Sequence, residues 1–329
     1  MVIIKINIYT IAEEADTSIS TVSRYLNGKN VKADTRKRIE EVIAKYNYKP
    51  SLIAKALVSH SLKTIAVFVV DIRMPHYANA AYYIDKELSK YGYRTIICNT
   101  LGDMSQIFKY ISEVSTQVDG LAFIGSIFNE INKSPEVLQA INNIPVVSTN
   151  GKINVLRNKA FYVDEEAGVY DATKYLINKG CKNIAYIQYG SADSAIKKRN
   201  GYEKAIQEAS LKPLVYQTND ILGGYDATRQ ILMDYNRVDA ILSGEDLVSM
   251  GAIRALTSQN IKVGKDCLVI GFDDSKYCEL TNPTLSAIDN KIYEMAIASA
   301  TALKDLIENE GADLSDVTFK CELKLKESA

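Results

Sequence analysis

Polar residues with chemical potential recur at one kind of place in this chain, just after a short apolar run. Asn150 follows PVVST (145–149), Glu245 and Asp246 follow AILSG (240–244), and Asp273 and Asp274 follow VIGF (269–272). His76 and Tyr77 lie in the loop after TIAVFVV (64–70). Carboxylates and amides ranged around a cleft suit a polyhydroxylated ligand: a carboxylate accepts from two neighbouring hydroxyls, and an aromatic ring gives an apolar floor. Helix N-caps and solvated loop ends use the same residues, and spacing alone does not separate the two uses. A second group stands near the start, within IYTIAEEADTSISTVSRYLN (8–27). There Ser18, Ile19, Ser20, Thr21, Ser23 and Arg24 share one side of a helical pattern. Small hydroxyl residues approach phosphates and base edges closely, and Arg24 adds a charged fork for guanine or phosphate. A polar helical surface with no ligand would look the same.

Other chemistries find little support. The only histidines are His60 and His76. The five cysteines are scattered and odd in number, with no CxxC pair, so they read as buried or surface thiols in a reducing compartment. No metal and no cofactor is expected. The loop after residues 64–70 is DIRMPHY, not a Gly-rich dinucleotide fingerprint, and the chain shows no Walker lysine and no nucleophile elbow. An enzyme on a doubly wound sheet is therefore the weaker alternative.

The elements that must position these residues divide the chain. Ile8, Ile11, Ala12 and Ala15 follow the spacing of one helical face. Asp16-Thr17-Ser18 breaks it, and Ser18 is a good N-cap for a helix over 19–26 with Val22 and Leu26 facing inward. After a turn at 27–30, Asp34 or Thr35 opens a third helix whose inner face is Ile39, Val42, Ile43 and Tyr46. Pro50 ends that unit, and SLIAKALVS (51–59) is a fourth helix only if something stabilises it. Two short helices joined by a tight turn present the second to a major groove. From Lys63 onward, continuous apolar runs alternate with helical patterns, the mark of strands buried on both faces of a parallel sheet. Helices are expected over 79–91, 103–117, 134–142, 165–179, 195–209, 224–235 and 246–258. Strands are expected at 64–70, 95–100, 120–125, 145–149, 183–189, 212–218, 240–244 and 267–273. Two α/β sets of similar length predict two Rossmann-like lobes with a cleft between them. A helix over 290–309 and a strand over 317–325 complete the second lobe or cross between the two. The domains are thus 1–50, 51–62 as linker, and 63–329.

Charge agrees with that division. The net charge is −1, yet residues 1–60 carry ten Lys/Arg against six Asp/Glu, and the remainder reverses the sign. A basic head on an acidic body is what results when only the head meets phosphates. Lys5 and Asn7 interrupt the apolar start MVIIKINIYTIA, and no run of about eighteen apolar residues follows, so neither a secretory signal nor a membrane span is expected. The expected location is the cytoplasm.

These residues carry a specific resemblance. TIAEEADTSISTVSRYLNG (10–28), ADTRKRIEEVIAKYNYKPS (33–51) and IAKAL (53–57) follow one another in order, and VDIRMPHY, IPVVSTN, VDEEAG, RNGYEKAI, EDLVSMGAIRAL, VIGFDD and NPTLSAI continue through the body. As an ordered set they resemble the lactose-repressor (LacI/GalR) family of bacterial transcription regulators over essentially the whole chain. The resemblance implies an α/β fold: a helix-turn-helix head and hinge helix, then two lobes of periplasmic-binding-protein type. It implies a sequence-specific DNA-binding regulator, a repressor, whose operator affinity is set by a small molecule between the lobes. A sugar-binding transport protein would share the body, but should carry a signal peptide and lack the head.

By that resemblance Ile19, Ser20 and Arg24 read bases, while Ser18, Thr21, Ser23, Asn27 and Thr35 grip the backbone, joined by Tyr9 and Thr10. Residues 51–58 match the hinge helix, with Ala54 and Leu57 at the DNA and Leu57 the wedge at the central base step, which unstacks the step and bends the duplex. His76, Tyr77, Asn150, Lys198, Glu245, Asp273 and Asn290 match effector contacts. Departures stand beside the matches: Met74-Pro75-His76-Tyr77 replaces Asn-Pro-Phe-Phe, Lys198 stands for an arginine, and Glu245 for Asn or Asp. The run Lys197-Lys198-Arg199 fits either an exposed charge run or a phosphorylated effector, so the expected ligand is a sugar or phosphosugar. A head this small predicts a homodimer on a pseudo-palindromic operator. The chain's end shows no leucine heptads that would favour a tetramer.

Overall fold

Three helices meet the apolar spacing of the head: α1 (Ile8–Glu14), α2 (Ile19–Leu26) and α3 (Ala33–Tyr46). The computed structural model describes residues 6–26, 28–48, 61–235 and 237–329. The chain falls into two units, Met1–Lys63 and Thr64–Ala329. In the first, Ile11, Ala12, Ala15, Val22, Ile39 and Val42 are buried together, with Leu26, Ile43 and Tyr46 packed against them. Asn7 caps α1, its side chain accepting from the backbone of Tyr9 (3.0 Å) and Thr10 (3.1 Å). Ser18 Oγ accepts from Thr21 N at 3.2 Å, as its N-cap role predicts. The third helix starts at Ala33 rather than Asp34 or Thr35, behind Lys32, which makes no side-chain cap. Lys45 pairs with Glu14 at 2.7 Å and Arg38 with Asp16 at 3.1 Å, tying α3 to the end of α1 and the turn behind it. The expectations for Asn27, Ala54, Leu57 and the 51–58 helix lie outside the described residues.

The second unit carries two six-stranded sheets built alike. The strands of the first are β1 (Thr64–Val69), β2 (Arg94–Asn99), β3 (Gly120–Ile124), β4 (Val146–Thr149), β5 (Asn158–Val163) and β11 (Val317–Phe319), in spatial order β11-β5-β4-β3-β1-β2. Those of the second are β6 (Ile184–Tyr189), β7 (Leu214–Thr218), β8 (Ala240–Ser243), β9 (Leu268–Phe272), β10 (Ser286–Asp289) and β12 (Glu322–Lys324), in order β12-β10-β9-β8-β6-β7. All pairings are parallel except β10 with β12. Helices α4 (Pro75–Ser89) and α11 (Ile292–Glu308) cover one face of the first sheet, and α5 (Met104–Val114), a 3-10 segment (Ser126–Lys133) and α6 (Pro135–Ile141) the other. Helices α7 (Glu165–Asn178) and α8 (Asp193–Glu208) cover one face of the second, α9 (Gly224–Asp234) and α10 (Asp246–Ser258) the other. Both faces being covered explains why the central strands read as unbroken apolar runs.

Three expectations are corrected. The helix expected over 79–91 begins at Pro75, which suits a first helical position because its missing N–H has no intrahelical acceptor. His76 and Tyr77 therefore sit in its first turn, not in a loop. Strands β5 and β10 were not expected; each starts with a buried polar residue, Asn158 or Ser286. The single strand over 317–325 is two, β11 in the first sheet and β12 in the second, so the chain crosses between lobes at Lys320-Cys321. Helix α11, expected either to complete the second lobe or to cross, does cross: it follows β10 of the second lobe and packs with the first, the chain passing over at Asn290-Lys291. All five cysteines are free thiols. Among the described residues, no helix is long and apolar enough to cross a membrane.

Candidate functional site

In each lobe the order places its first strand beside its third, and the chain leaves that point in opposite directions. Such switch points leave a crevice at the carboxyl ends of the strands. A cavity of about 190 Å³ lies there, lined by Val70, Asp71, Met74, His76, Tyr77, Gly125, Ser126, Ile127 and Asn150 from the first lobe. Glu165, Tyr189 to Ala192, Ser194, Ala195, Lys198, Glu245 and Asp273 line it from the second.

Six of the seven expected effector residues thus share one cavity. The seventh, Asn290, sits directly behind: its Nδ2 donates to Asp273 Oδ1 at 2.6 Å and lies 3.1 Å from His76 Nδ1. His76 Nδ1 is also 3.5 Å from Asp273 Oδ1. Burial depresses the His76 pKa, which keeps the ring neutral. Tyr77 packs edge-on against His76 at 5.1 Å and over Gly125, whose φ of +117° is open to glycine. Asn150 (φ +54°) accepts from Val163 N at 3.1 Å through Oδ1, leaving its amide nitrogen toward the cavity. Asp273 has φ +108°. Two non-glycine residues held at positive φ in one site are strain of the kind found at ligand clamps.

Lys198 is the buried cation. Its Nζ donates to Gly244 O at 3.0 Å, stands 3.8 Å from Glu165 Oε1 and 3.8 Å over the Phe272 ring. Burial opposes its charge, but the fields of Glu165, Glu245 and Asp273 win and raise its pKa. Glu165 also accepts from Ser194 Oγ at 2.7 Å. Burial raises Glu245 well above the usual carboxylate range and Asp273 to about 7, and Glu245 donates its proton to Asp273.

The charge run at 197–199 divides. Lys197 is exposed, Arg199 pairs with Glu203 at 2.7 Å, and Lys198 alone enters the cavity. The carboxylate doublets divide too. Asp246 accepts from Ser275 N at 2.7 Å and braces the following loop, and Asp274 pairs with Lys326 at 2.6 Å. Neither lines the cavity.

Sequence reasoning missed Glu165, Ser126, Ser194 and Tyr189. Glu165 opens α7 just beyond β5, the unexpected strand, so its place at a strand's carboxyl end went unseen. It meets Ser194 and Lys198 because α7 and α8 touch: a Cβ on Gly201 would overlap the carbonyl oxygen of Glu166.

In the head, Ser18, Ile19, Ser20 and Arg24 are exposed along α2, and Thr21 and Ser23 are half-buried. Ile19 exposes 41% of its surface. Ser18 Oγ bonds the hydroxyls of Ser20 and Thr21, both at 2.8 Å. Arg24 reaches Asn30 O at 3.4 Å, a long contact that leaves its fork available. Tyr9 is exposed and Thr10 half-buried in the first turn of α1, and Thr35 is half-buried in that of α3.

A three-helix head with an exposed reading helix, joined to a two-lobed α/β body with a polar cavity, defines a DNA-binding regulator of transcription. Comparison with known proteins agrees. Residues 7–51 match the bacterial regulatory proteins of the lacI family, and residues 173–329 match a periplasmic binding protein-like domain. Catabolite control protein A of Staphylococcus xylosus is 30% identical over 334 residues, covering 95% of each chain. A lac repressor dimer bound to operator and the anti-inducer ONPF superposes with TM-score 0.85 at 22% identity, over 98% of each chain. A CelR–cellobiose complex does so with TM-score 0.71 at 22% identity, over 99% of this chain and 100% of that one. The chain belongs to the lacI family of bacterial transcription regulators; its relatives are regulators, not enzymes.

Proposed function

We propose that this regulator is a repressor that binds a pseudo-palindromic operator as a homodimer, and that a sugar in the interlobe cavity changes its operator affinity. The observation that carries this is the lining itself: carboxylates, an amide, serine hydroxyls and tyrosine rings from both lobes converge on one space. A ligand touching both lobes couples their relative position to occupancy, and so to the spacing of two heads. The cellobiose and operator complexes of its structural relatives point the same way. A phosphorylated sugar fits less well, since one buried lysine faces three buried or half-buried carboxylates before any phosphate arrives. Ile19, Ser20 and Arg24 are assigned to base edges, Tyr9, Thr10, Ser18, Thr21, Ser23, Asn27 and Thr35 to the backbone, and Ala54 and Leu57 to the minor groove.

The second subunit has a surface to meet. Edge strand β2 exposes Ile96 and Ile97, and Tyr82 and Tyr293 flank Tyr83 in an exposed aromatic cluster nearby. An apolar edge strand is a liability unless something covers it. Titration of a labelled operator, with and without each of a panel of sugars, tests the proposal. One sugar shifting the affinity at least tenfold is expected; equal affinity with every sugar that binds would remove the regulatory claim. A monomer by sedimentation, even on DNA, would remove the dimer.

A further inference from the structure

The charges around the cavity do not balance. Asp71 pairs with Arg73 at 2.6 Å, and Glu165 with Lys198 at 3.8 Å. Lys198 is already bound to Gly244 O and lies over Phe272. Glu245 and Asp273 form no ion pair with any Lys or Arg among the described residues and meet Lys198 only through its field; Asp273 accepts from the Asn290 amide and stands beside a neutral His76. Above about pH 7 these two cavity-lining carboxyl groups, one buried and one half-buried, keep one proton between them and one negative charge. A buried negative charge with no ion-pair partner is costly, and a cation brought beside it relieves that cost.

We propose that the effector is a cationic sugar, an amino sugar of monosaccharide size, whose ammonium group sits between Glu245 and Asp273. The inference rests on the cavity being the effector site. The ammonium donates to the charged carboxylate and lies beside the protonated one; the pair keeps its one proton, so its single negative charge is neutralised. The remaining lining suits the hydroxylated ring. The Asn150 amide nitrogen has no protein partner among the described residues, and the residue is only 7% exposed. The Tyr77 hydroxyl likewise has no hydrogen-bond partner there, and Ser126 and Ser194 add hydroxyls. The cavity volume of about 190 Å³ accommodates a hexose-sized ring. A neutral hexose would leave the charge of the pair uncompensated.

Calorimetric titration of the full chain at fixed pH and salt compares D-glucosamine, D-galactosamine and D-mannosamine with their parent hexoses and their N-acetyl derivatives. At least one amino sugar is expected to bind about tenfold or more tightly than its parent and its N-acetyl form, since a charge-assisted hydrogen bond outweighs a neutral one. Glu245→Gln should weaken binding of the amine much more than that of the parent and so abolish the preference; Asn150→Ala should weaken both alike and leave the preference standing. A parent or N-acetyl form binding as tightly as the amine overturns the inference and leaves the sugar site standing. No binding by any of the three classes overturns the sugar assignment, and the inference with it.

Discussion

Removing the charge of Lys198 with Lys198→Met is expected to destabilise the two-lobed unit by about 3–5 kcal/mol, the cost of leaving a buried carboxylate without its cation. The size follows from the surroundings. Lys198 is 5% exposed and 3.8 Å from Glu165. At an effective dielectric near 20, two unit charges at that distance attract by about 4 kcal/mol. The hydrogen bond to Gly244 O adds about 1.5–3 kcal/mol, and relief from burying the ammonium offsets part of the sum. Methionine keeps the length and the apolar stem over Phe272, so a cavity term is small. Urea unfolding followed by circular dichroism, at one protein concentration, gives the difference. Glu165→Gln alone should cost less, because Lys198 still has Glu245 and Asp273 before it. The double variant Lys198→Met/Glu165→Gln should lose clearly less than the two singles added together. A loss below about 1 kcal/mol for Lys198→Met, or strict additivity in the double variant, would refute the claim that this lysine balances buried charge.

Three further outcomes follow from the same geometry. Burial holds Asp273 up to about 7, so the folded state keeps a proton that the unfolded chain releases near 4. The stabilisation present at pH 4 is therefore lost as pH rises through 7, and Asp273→Asn should flatten the fall in stability between pH 5 and 8. A variant with the wild-type slope contradicts it. Arg24→Ala should weaken operator binding by about 1–3 kcal/mol and relax the preference at one base pair in each half-site, measured by competition between operator variants; an unchanged preference would place Arg24 on phosphate alone. Ile39→Ala, at the centre of a small core, should cost about 2–4 kcal/mol in the head. It should abolish operator binding while sugar binding, measured by calorimetry, is kept; loss of both would contradict the independence of the two units.

Much of this was legible in the sequence because the relevant signals are local. An apolar run of strand length, or an amphipathic helix, is written in neighbouring residues, and α2 and the central strands of both sheets came out within a residue or two. What escaped depends on distant partners. Strand β5 starts with Asn158, buried only because Ser148 and the carbonyl of Ile153 satisfy it. The break at Lys320-Cys321 makes sense only once two sheets stand ready to receive β11 and β12. The doublets Glu245-Asp246 and Asp273-Asp274 look alike in sequence. Backbone conformation decides between their members: Glu245 is extended as the N-cap of α10, and Asp273 has φ +108°. Glu165 needed both β5 and the contact of α7 with α8 at Gly201.

The central claim, that the head reads a symmetric operator, is tested most directly by selection from random DNA with the purified full chain at stated salt, beside Leu57→Ala. Enrichment of a pseudo-palindromic site, bound more weakly by the Leu57→Ala protein, is the predicted result. No enriched site at any salt concentration, or an asymmetric one bound equally well by both proteins, would contradict it.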